Sequence, residues 1–429
     1  MVAKVFIVFF ALLAICVPVS VTLGISSLLP KFINPAFPAN VSFVVRQMLS
    51  GVDSTPILAL PLFVLSGIIM ARGEVSAKLF SVFAYFFGNR TGGFPCVVVV
   101  TCLFYGAISG SAPATTAAVG AMTIPLLTKL GYDKGFSTSL VAVAGGLGVI
   151  IPPSIPFILY GLSSSESVGA LFMAGIFPGL LIGFCLMAYA WFYCKTKGED
   201  KEKLRAYTGE LHAKGLVRLL RESIWALLTP VIILGGIYGG IVTPTEAACV
   251  SVVYALIVCC FLDKTLSLKD CVEIFREAVH TYGPILFILA TAVAFGRVLA
   301  LMQAPQYVAS LITAVSDNKI VILLIVNVFL LVVGMLMDTG PAILILTPIL
   351  LPLMQSIGVD PVHFGVIMVV NLAIGFVTPP VGVNLYVASA MTGLPVLKIA
   401  RGAAPFIVAF FFALMLITFI PSISLYLLR

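Results

Sequence analysis

The sequence predicts an all-α, polytopic membrane protein built from two structural repeats. Three observations carry that prediction. Apolar residues fill 61% of the 429 positions while charged residues fill only 10%. Many apolar runs approach or exceed the roughly 20 residues that a helix needs to cross the hydrocarbon core. And a pattern of glycines and prolines recurs about 228 residues further along the chain. So little polar surface leaves lipid as the solvent. The runs do not alternate apolar and polar residues, which excludes the strands of a membrane barrel.

The apolar runs lie at 4–28, 54–71, 93–108, 173–194, 223–241, 244–262, 281–303, 319–337 and 402–428. Two more stretches, 136–165 and 361–392, are apolar but interrupted by Gly and Pro. The first run, Val5 to Leu29 behind Lys4, has the look of a secretory signal. Its length and the lack of a small-x-small cleavage site predict a retained span. The nine cysteines, Cys259 and Cys260 among them, have no metal-type spacing and read as packing residues. A net charge of +7 on so apolar a chain fits basic cytoplasmic loops. It is no footprint for nucleic acid.

The long polar segment Lys195–Glu222 carries more basic than acidic residues, which places it in the cytoplasm. Lys264, Lys269 and Arg276 follow two spans later and return to the same side. Segments 40–52 and 265–280 mix charges and apolar residues at helical spacing, as amphipathic surface helices do. The organisation expected is a first repeat, 1–195, holding a hairpin at 109–130 and a broken helix at 136–165. A cytoplasmic loop follows at 196–222. The second repeat, 223–429, holds a hairpin at 338–357 and a broken helix at 361–392.

The repeat itself rests on matched residues. Pro56-Ile57-Leu58 matches Pro284-Ile285-Leu286, and Gly106 with Pro113 matches Gly334 with Pro341. After a one-residue slip, Gly131 and Asp133 match Gly358 and Asp360, Gly148 matches Gly375, and Pro152-Pro153 match Pro379-Pro380. Matched Gly and Pro mean matched backbone interruptions. At membrane depth these are tolerated only where protein covers them or where they line a wet cavity, and paired interruptions point to a transporter's binding site. The span count leaves open whether the repeats are inverted or parallel.

Each repeat contains a polar tip inside an apolar stretch: Ser109-Gly110-Ser111-Ala-Pro113-Ala-Thr115 in one, Asp338-Thr339-Gly340-Pro341 in the other. Runs too short for two crossings flank each tip, so each reads as a re-entrant helical hairpin. Each repeat also has a broken helix: Gly145-Gly146-Leu-Gly148 leading to Pro152-Pro153-Ser154, and Asn371 and Gly375 leading to Thr378-Pro379-Pro380. Exposed carbonyls and hydroxyls suit a hard cation such as Na⁺, and half-helix N-termini attract carboxylate. The bland alternative is that small residues merely let helices pack closely.

Asp338 is costly beside an apolar run unless paired or wet; it supports either an ion site or the fold of its hairpin. Arg297 is the lone cation within Ala292–Met302. It meets an anionic substrate or an acidic partner, or it snorkels to the interface. Glu246, at a helix start in Thr243-Pro-Thr-Glu, reads as structural. Asn371 and Asn384 either bond substrate or brace the second break. A secondary transporter and a channel both need such breaks. An intramembrane serine protease, suggested by Ile108-Ser109-Gly110, needs a histidine base. The three histidines, His212, His280 and His363, lie in the polar loop or near span ends. A protease would also leave the second copy of the device unexplained.

With its two tips, Pro152-Pro153, Thr378-Pro379-Pro380-Val-Gly382 and the GGIVTPTEAA stretch at 239–248, the chain resembles the large membrane subunit of tripartite ATP-independent periplasmic (TRAP) transporters. The resemblance covers essentially the whole chain. It implies membership of the ion-transporter superfamily, inverted repeats, and a scaffold plus a transport domain that alternates access as an elevator. It also implies a multi-pass protein of the bacterial inner membrane that is not an enzyme. The partners implied are a small four-helix membrane subunit (Q-type) and a periplasmic substrate-binding protein (P-type). Because the extra N-terminal spans of fused members are missing, the small subunit is expected as a separate chain. Na⁺ is implied as the coupling ion, and the cargo as a small organic anion, with sialic acid the first expectation and C4-dicarboxylates the second. Carried over by position, one Na⁺ site uses Ser109, Gly110 and Ser111 with Gly145, Gly148 and Pro152. The other uses Asp338, Thr339 and Gly340 with Gly375, Thr378 and Pro379. Substrate is implied between them, near Ser111, Ser154, Thr339 and Asn384.

Overall fold

The computed structural model describes residues 1–73, 75–313, 316 and 318–428, and among these there are helices but no strands. The first half of the chain begins with α1 (Val2–Ala14), α2 (Val19–Ile33), α3 (Val41–Val52), α4 (Ala59–Arg72) and α5 (Val75–Phe87). It continues with α6 (Gly93–Ser109), α7 (Ala112–Lys129), α8 (Lys134–Ala144), α9 (Ile155–Ser164) and α10 (Val168–Lys197). After α11 (Lys201–Lys214) the order recurs, through α12 (Leu216–Tyr238), α13 (Pro244–Leu256), α14 (Leu268–Leu301) and α15 (Ala304–Thr313). The second series ends with α16 (Lys319–Leu336), α17 (Thr339–Ser356), α18 (Pro361–Gly375), α19 (Val383–Thr392) and α20 (Val396–Phe419). Adding 228 to the bounds of α6 gives 321–337, close to α16, and to those of α9 gives 383–392, the bounds of α19. The repeat therefore extends over nearly the whole chain, with α11 between its copies. Among the described residues, eight helical segments are long and apolar enough to cross a membrane; α4 and α13 count together with the short helical turns that extend them to Thr55–Arg72 and Pro244–Leu262.

Phe177, early in α10, meets Tyr426 just beyond α20, with ring centroids 5.6 Å apart. Tyr189, late in α10, meets Phe406 near the middle of α20 at 4.6 Å, so contacts further along α10 fall further back along α20. The two helices are thus antiparallel although each closes its own repeat, so the repeats are inverted. Packing is reciprocal as well: α9 lies against α17 of the other copy, and α19 against α7.

The matched glycines are where the repeats need close backbone approach. A Cβ on Gly106 would stand 2.8 Å from the Cα of Gly148, and one on Gly375 would collide with the backbone of Gly334. In both copies, then, the first limb of a hairpin touches the broken helix through paired glycines. Gly131 and Gly358 take left-handed φ values of 97° and 69°, ending α7 and α17. Two residues on, Asp133 caps α8 by accepting from Phe136 N–H, and Asp360 caps α18 by accepting from Val362 and His363 N–H. The matched Pro-Pro bonds, Pro152-Pro153 and Pro379-Pro380, are both cis.

Several boundaries differ from the sequence reading. The first run is two helices, parted by Cys16 in a left-handed conformation and by Pro18, which opens the next helix. At 13 and 15 residues they are about 20 and 22 Å long, short of a full crossing. The hairpins expected at 109–130 and 338–357 start earlier: their first limbs are α6 and α16, so they run from 93 to 129 and from 319 to 356. Segment 265–280 is no separate surface helix but belongs mainly to α14, where Pro284 sits inside a continuous 34-residue helix. The polar loop at 196–222 is largely helical. Leu204, Thr208 and Leu211 of α11 are buried, and α11 packs on α5.

Replacing Gly375 by Ala puts a methyl into the Gly334 backbone and should cost about 1–3 kcal/mol. Gly209→Ala in α11, where nothing lies within 4 Å, should leave stability unchanged or slightly raised. Thermal denaturation of the purified protein in detergent checks both.

Candidate functional site

The two polar tips face one another across a single cavity of about 780 Å³. Ser109, Gly110, Ser111 and Pro113 line it from the first copy, and Asp338, Thr339, Gly340 and Pro341 from the second. The opposite wall is built by α4, through Val64, Gly67, Ile68, Ala71 and Arg72, and by α14, through Glu277, Thr281, Pro284, Ile285 and Ile288. Both sets recur every three or four residues, which places them on one face of each helix.

The hairpins enter from opposite ends of the bundle. At the base of the first, Glu199 beside the C-terminal end of α10 accepts from Gly92 N–H at 3.0 Å and from the Tyr132 hydroxyl at 2.5 Å. At the base of the second, Lys319 Nζ donates to Gly358 O at 2.9 Å, beside the C-terminal end of α20. Since α10 and α20 are antiparallel, those two bases lie at opposite ends.

The first tip is a compact set of oxygens. Thr115 Oγ1 donates to Ser111 O at 2.8 Å and shares a 2.8 Å hydrogen bond with Ser109 Oγ. Gly148 of the first break is packed against the same atoms, since a Cβ there would collide with Thr115 Oγ1 and lie 2.8 Å from Ser111 O. Gly145 packs equally closely on Thr116, whose buried Oγ1 lacks a partner. Tip and break are joined through the backbone too, Ile155 N–H donating to Gly110 O at 3.3 Å. Buried hydroxyl and carbonyl oxygens, one of them orphaned, suit a hard cation.

The second tip differs. Asp338 Oδ1 accepts from Thr339 N–H at 2.7 Å, and its carboxylate opens into the cavity. Thr115, at 228 residues' distance, has the apolar counterpart Ile343. Behind the tip lies the second break: Val381 N–H donates to Met335 O at 3.2 Å, and Phe376 reaches the cavity wall. Thr378, just past the end of α18, turns its Oγ1 back to donate to Ile374 O at 2.8 Å, and neither Thr378 nor Pro379 faces the cavity. Nearby, Asn371 Nδ2 donates to Asn327 Oδ1 at 2.6 Å while its own Oδ1 is unpartnered.

Three helix N-termini converge on this space, those of α7, α9 and α17. Ser111 makes no side-chain cap for α7, so N–H groups there are free for another acceptor. Such ends favour an anion.

Other sequence-derived candidates lie elsewhere. Ser154 is fully buried; its hydroxyl donates to Val149 O at 2.5 Å and accepts from Phe157 N–H, capping α9 behind the wall. Asn384 is buried between α19 and α8, where Nδ2 donates to Ala142 O at 3.0 Å. Arg297 is exposed and away from the cavity. It stands nine residues beyond the lining residue Ile288, which on a helix is half a rotation to the far side. Glu246 completes a capping box, accepting from Thr243 N–H at 2.8 Å, as the sequence suggested. None of the three histidines lines the cavity that holds Ser109; His363 is buried with Nδ1 3.2 Å from Ser424 Oγ. The sequence reading missed Arg72 and Glu277, whose 2.6 Å ion pair sits in the cavity wall. Arg72 ends an apolar run, and Glu277 lies in a segment read as surface helix; the one available signal was the helical spacing from Glu277 to Thr281 and Ile288.

Residues 6–423 match the family model described as "Tripartite ATP-independent periplasmic transporter, DctM component". The chain belongs to this family of TRAP permeases. It is 42% identical, over 97% of its length, to the isethionate TRAP transporter permease protein DctMQ of Oleidesulfovibrio alaskensis, and spans 65% of that protein. It is 39% identical to the C4-dicarboxylate large permease DctM of Pseudomonas aeruginosa, over 90% of each chain. The sialic acid large permease SiaM of Vibrio cholerae is 36% identical, over 90% of this chain and 89% of its own. In fold, the TRAP permease resembles the MtrF structure from Neisseria gonorrhoeae, with a TM-score of 0.63 at 10% identity over 93% of both chains. The YdaH transporter of Alcanivorax borkumensis gives 0.61 at 13% identity, over 89% of this chain and 90% of its own. The TRAP permease is therefore a transport protein of the bacterial inner membrane.

Because Arg297 stands outside the cavity, Arg297→Glu should transport at the wild-type rate, which uptake into proteoliposomes measures.

Proposed function

We propose that this permease imports a small organic anion driven by a Na⁺ gradient. The observation that carries the proposal is the single cavity between two hairpin tips, walled on its other side by α4 and α14. Helix N-termini on the tips supply positive potential for a carboxylate or sulfonate. At the first tip, Ser109, Ser111 and Thr115 with the Gly145–Gly148 backbone have the oxygens that a Na⁺ needs, and Asp338 adds a carboxylate at the second. We place the substrate between Ser111 and Thr339.

The mouth is marked by Arg72 and Glu277, whose side chains are 41% and 46% exposed. It lies on the same side as the start of α14, with Lys264 and Lys269, and so faces the cytoplasm by the positive-inside rule. In that reading the structure is inward-facing. The hairpins and broken helices form a transport domain, and α4, α13 and α14 belong to the scaffold past which it slides as an elevator. The partners are a small membrane subunit and a periplasmic binding protein. Relatives are named for isethionate, C4-dicarboxylates, sialic acid and 2,3-diketo-L-gulonate; what these share is a compact polar acid, and the cargo is placed in that class.

A channel would also line a cavity with polar tips, but it would pass its solute without saturable coupling to Na⁺. Uptake into proteoliposomes with the small subunit and binding protein present, using radiolabelled isethionate, succinate and sialic acid, tests the proposal. Accumulation of one of these acids against its gradient, abolished when the Na⁺ gradient is collapsed, is expected; downhill flux alone would favour the channel. Asp338→Ala should abolish the Na⁺-driven component while the protein still inserts. Undiminished uptake by that variant would remove Asp338 from the coupling site.

A further inference from the structure

Among the described residues that line the cavity, Arg72 is the one cation. It ends α4, and its guanidinium reaches across to α14, with Nη2 2.6 Å from Glu277 and Nη1 3.5 Å from Glu273. Glu277, Thr281, Ile285 and Ile288 form a stripe along α14 that runs from this pair along the cavity wall. Small and apolar residues, among them Gly67, Ile68 and Ala71, take up the facing stretch of α4. An anion leaving the tips for the mouth therefore passes no positive side chain in this wall until it meets Arg72.

The pair is built to exchange. Its side chains are 41% and 46% exposed, and Glu273 is 74% exposed, so water screens the attraction and holds no arrangement firmly. Its neighbour makes the contrast: Lys78 and Asp263 approach to 2.5 Å with side chains only 23% and 13% exposed, as a fixed strut between α5 and the turn after Ile257–Leu262, the helical stretch that continues α13, would. Arg72 also has donors to spare, since a guanidinium carries five N–H groups in a fork that matches carboxylate and sulfonate oxygens.

We propose that Arg72 selects anions at the mouth of the transport cavity, and that Glu277 is the resident counter-charge which the passing anion displaces. This rests on the reading of the cargo as a small organic anion. Arg72 touches the anion directly; Glu277 acts through Arg72 by competing for it. The two residues therefore have opposite effects on affinity, although they form one ion pair. A strut would behave otherwise: removing either partner would break the same contact and shift both variants in the same direction.

Equilibrium binding of radiolabelled isethionate, succinate and sialic acid to the full-length chain, purified in detergent with its small membrane subunit, separates the two. For the acid that the wild-type complex carries, Glu277→Gln should tighten binding by about tenfold, about 1.4 kcal/mol. Arg72→Gln should loosen binding by at least about tenfold, with Arg72→Lys intermediate because it keeps the charge but loses the fork. Shifts of both variants in the same direction, or unchanged binding in both, would overturn the assignment. If Arg72→Gln does not fold, Glu277→Gln decides alone, and unchanged or weaker binding counts against the proposal. A wild-type complex that accumulates none of the acids in proteoliposomes under a Na⁺ gradient would overturn the cargo reading and this inference together. A wild-type complex that transports normally while Glu277→Gln fails to tighten binding would overturn only the role of Arg72.

Discussion

Inside a bilayer, a helix can be interrupted only where protein replaces the hydrogen bonds its backbone has lost. Here each broken helix is served by the hairpin of its own repeat: Ile155 N–H donates to Gly110 O, and Val381 N–H to Met335 O. Those bonds need the hairpin limb almost in backbone contact with the break, and the pairs Gly106–Gly148 and Gly334–Gly375 allow it. Much of the interior architecture follows from this contact. The breaks hold the tips inside the bundle, the second halves of the broken helices cross to the other copy, and the tips are left facing one cavity.

Inversion does the rest. Because the copies run in opposite senses, the hairpins enter from opposite ends and bring unlike polar groups together. One tip offers hydroxyl and carbonyl oxygens from Ser109, Ser111 and Thr115; the other offers the Asp338 carboxylate. The two copies supply matching frameworks, and differences such as Thr115 against Ile343 make them chemically distinct. The asymmetry extends to the outer wall, where α3 and α4 are separate helices but their counterpart α14 is continuous through Pro284. A proline inside a helix is tolerable where neighbouring helices cover the freed carbonyl.

The features legible in the sequence were those that leave a mark on residue type. Membrane class came from apolar content, and the breaks from matched Gly and Pro. The hairpin tips came from polar residues where lipid would reject them, and the capping role of Glu246 from its spacing to Thr243. What escaped depended on direction and distance. Span counting could not show that the repeats are inverted, since α1 and α2 looked like one span, and the crossing of α10 by α20 had to be seen. Ser154 had the right chemistry for a ligand, but its hydroxyl is taken up by the cap of α9. Arg297 drew notice as a cation in an apolar run, yet it is half a turn away from the working face of α14. Arg72 and Glu277 drew none, because a charge at the end of a run is unremarkable until its partner 205 residues away is seen beside it.

Both tips line one cavity, which on the proposed function is aqueous and holds the anion. The most direct test of that reading places single cysteines at Ala114 and Gly340, one on each tip, in a background freed of the nine native cysteines. Reaction with a membrane-impermeant maleimide is then followed from each side of the membrane, with and without a transported acid. Both positions should react from the side that carries α11, and the acid should slow both to the same degree. If the tips reacted from different sides in the same state, or if the acid protected one and not the other, the shared cavity would be contradicted.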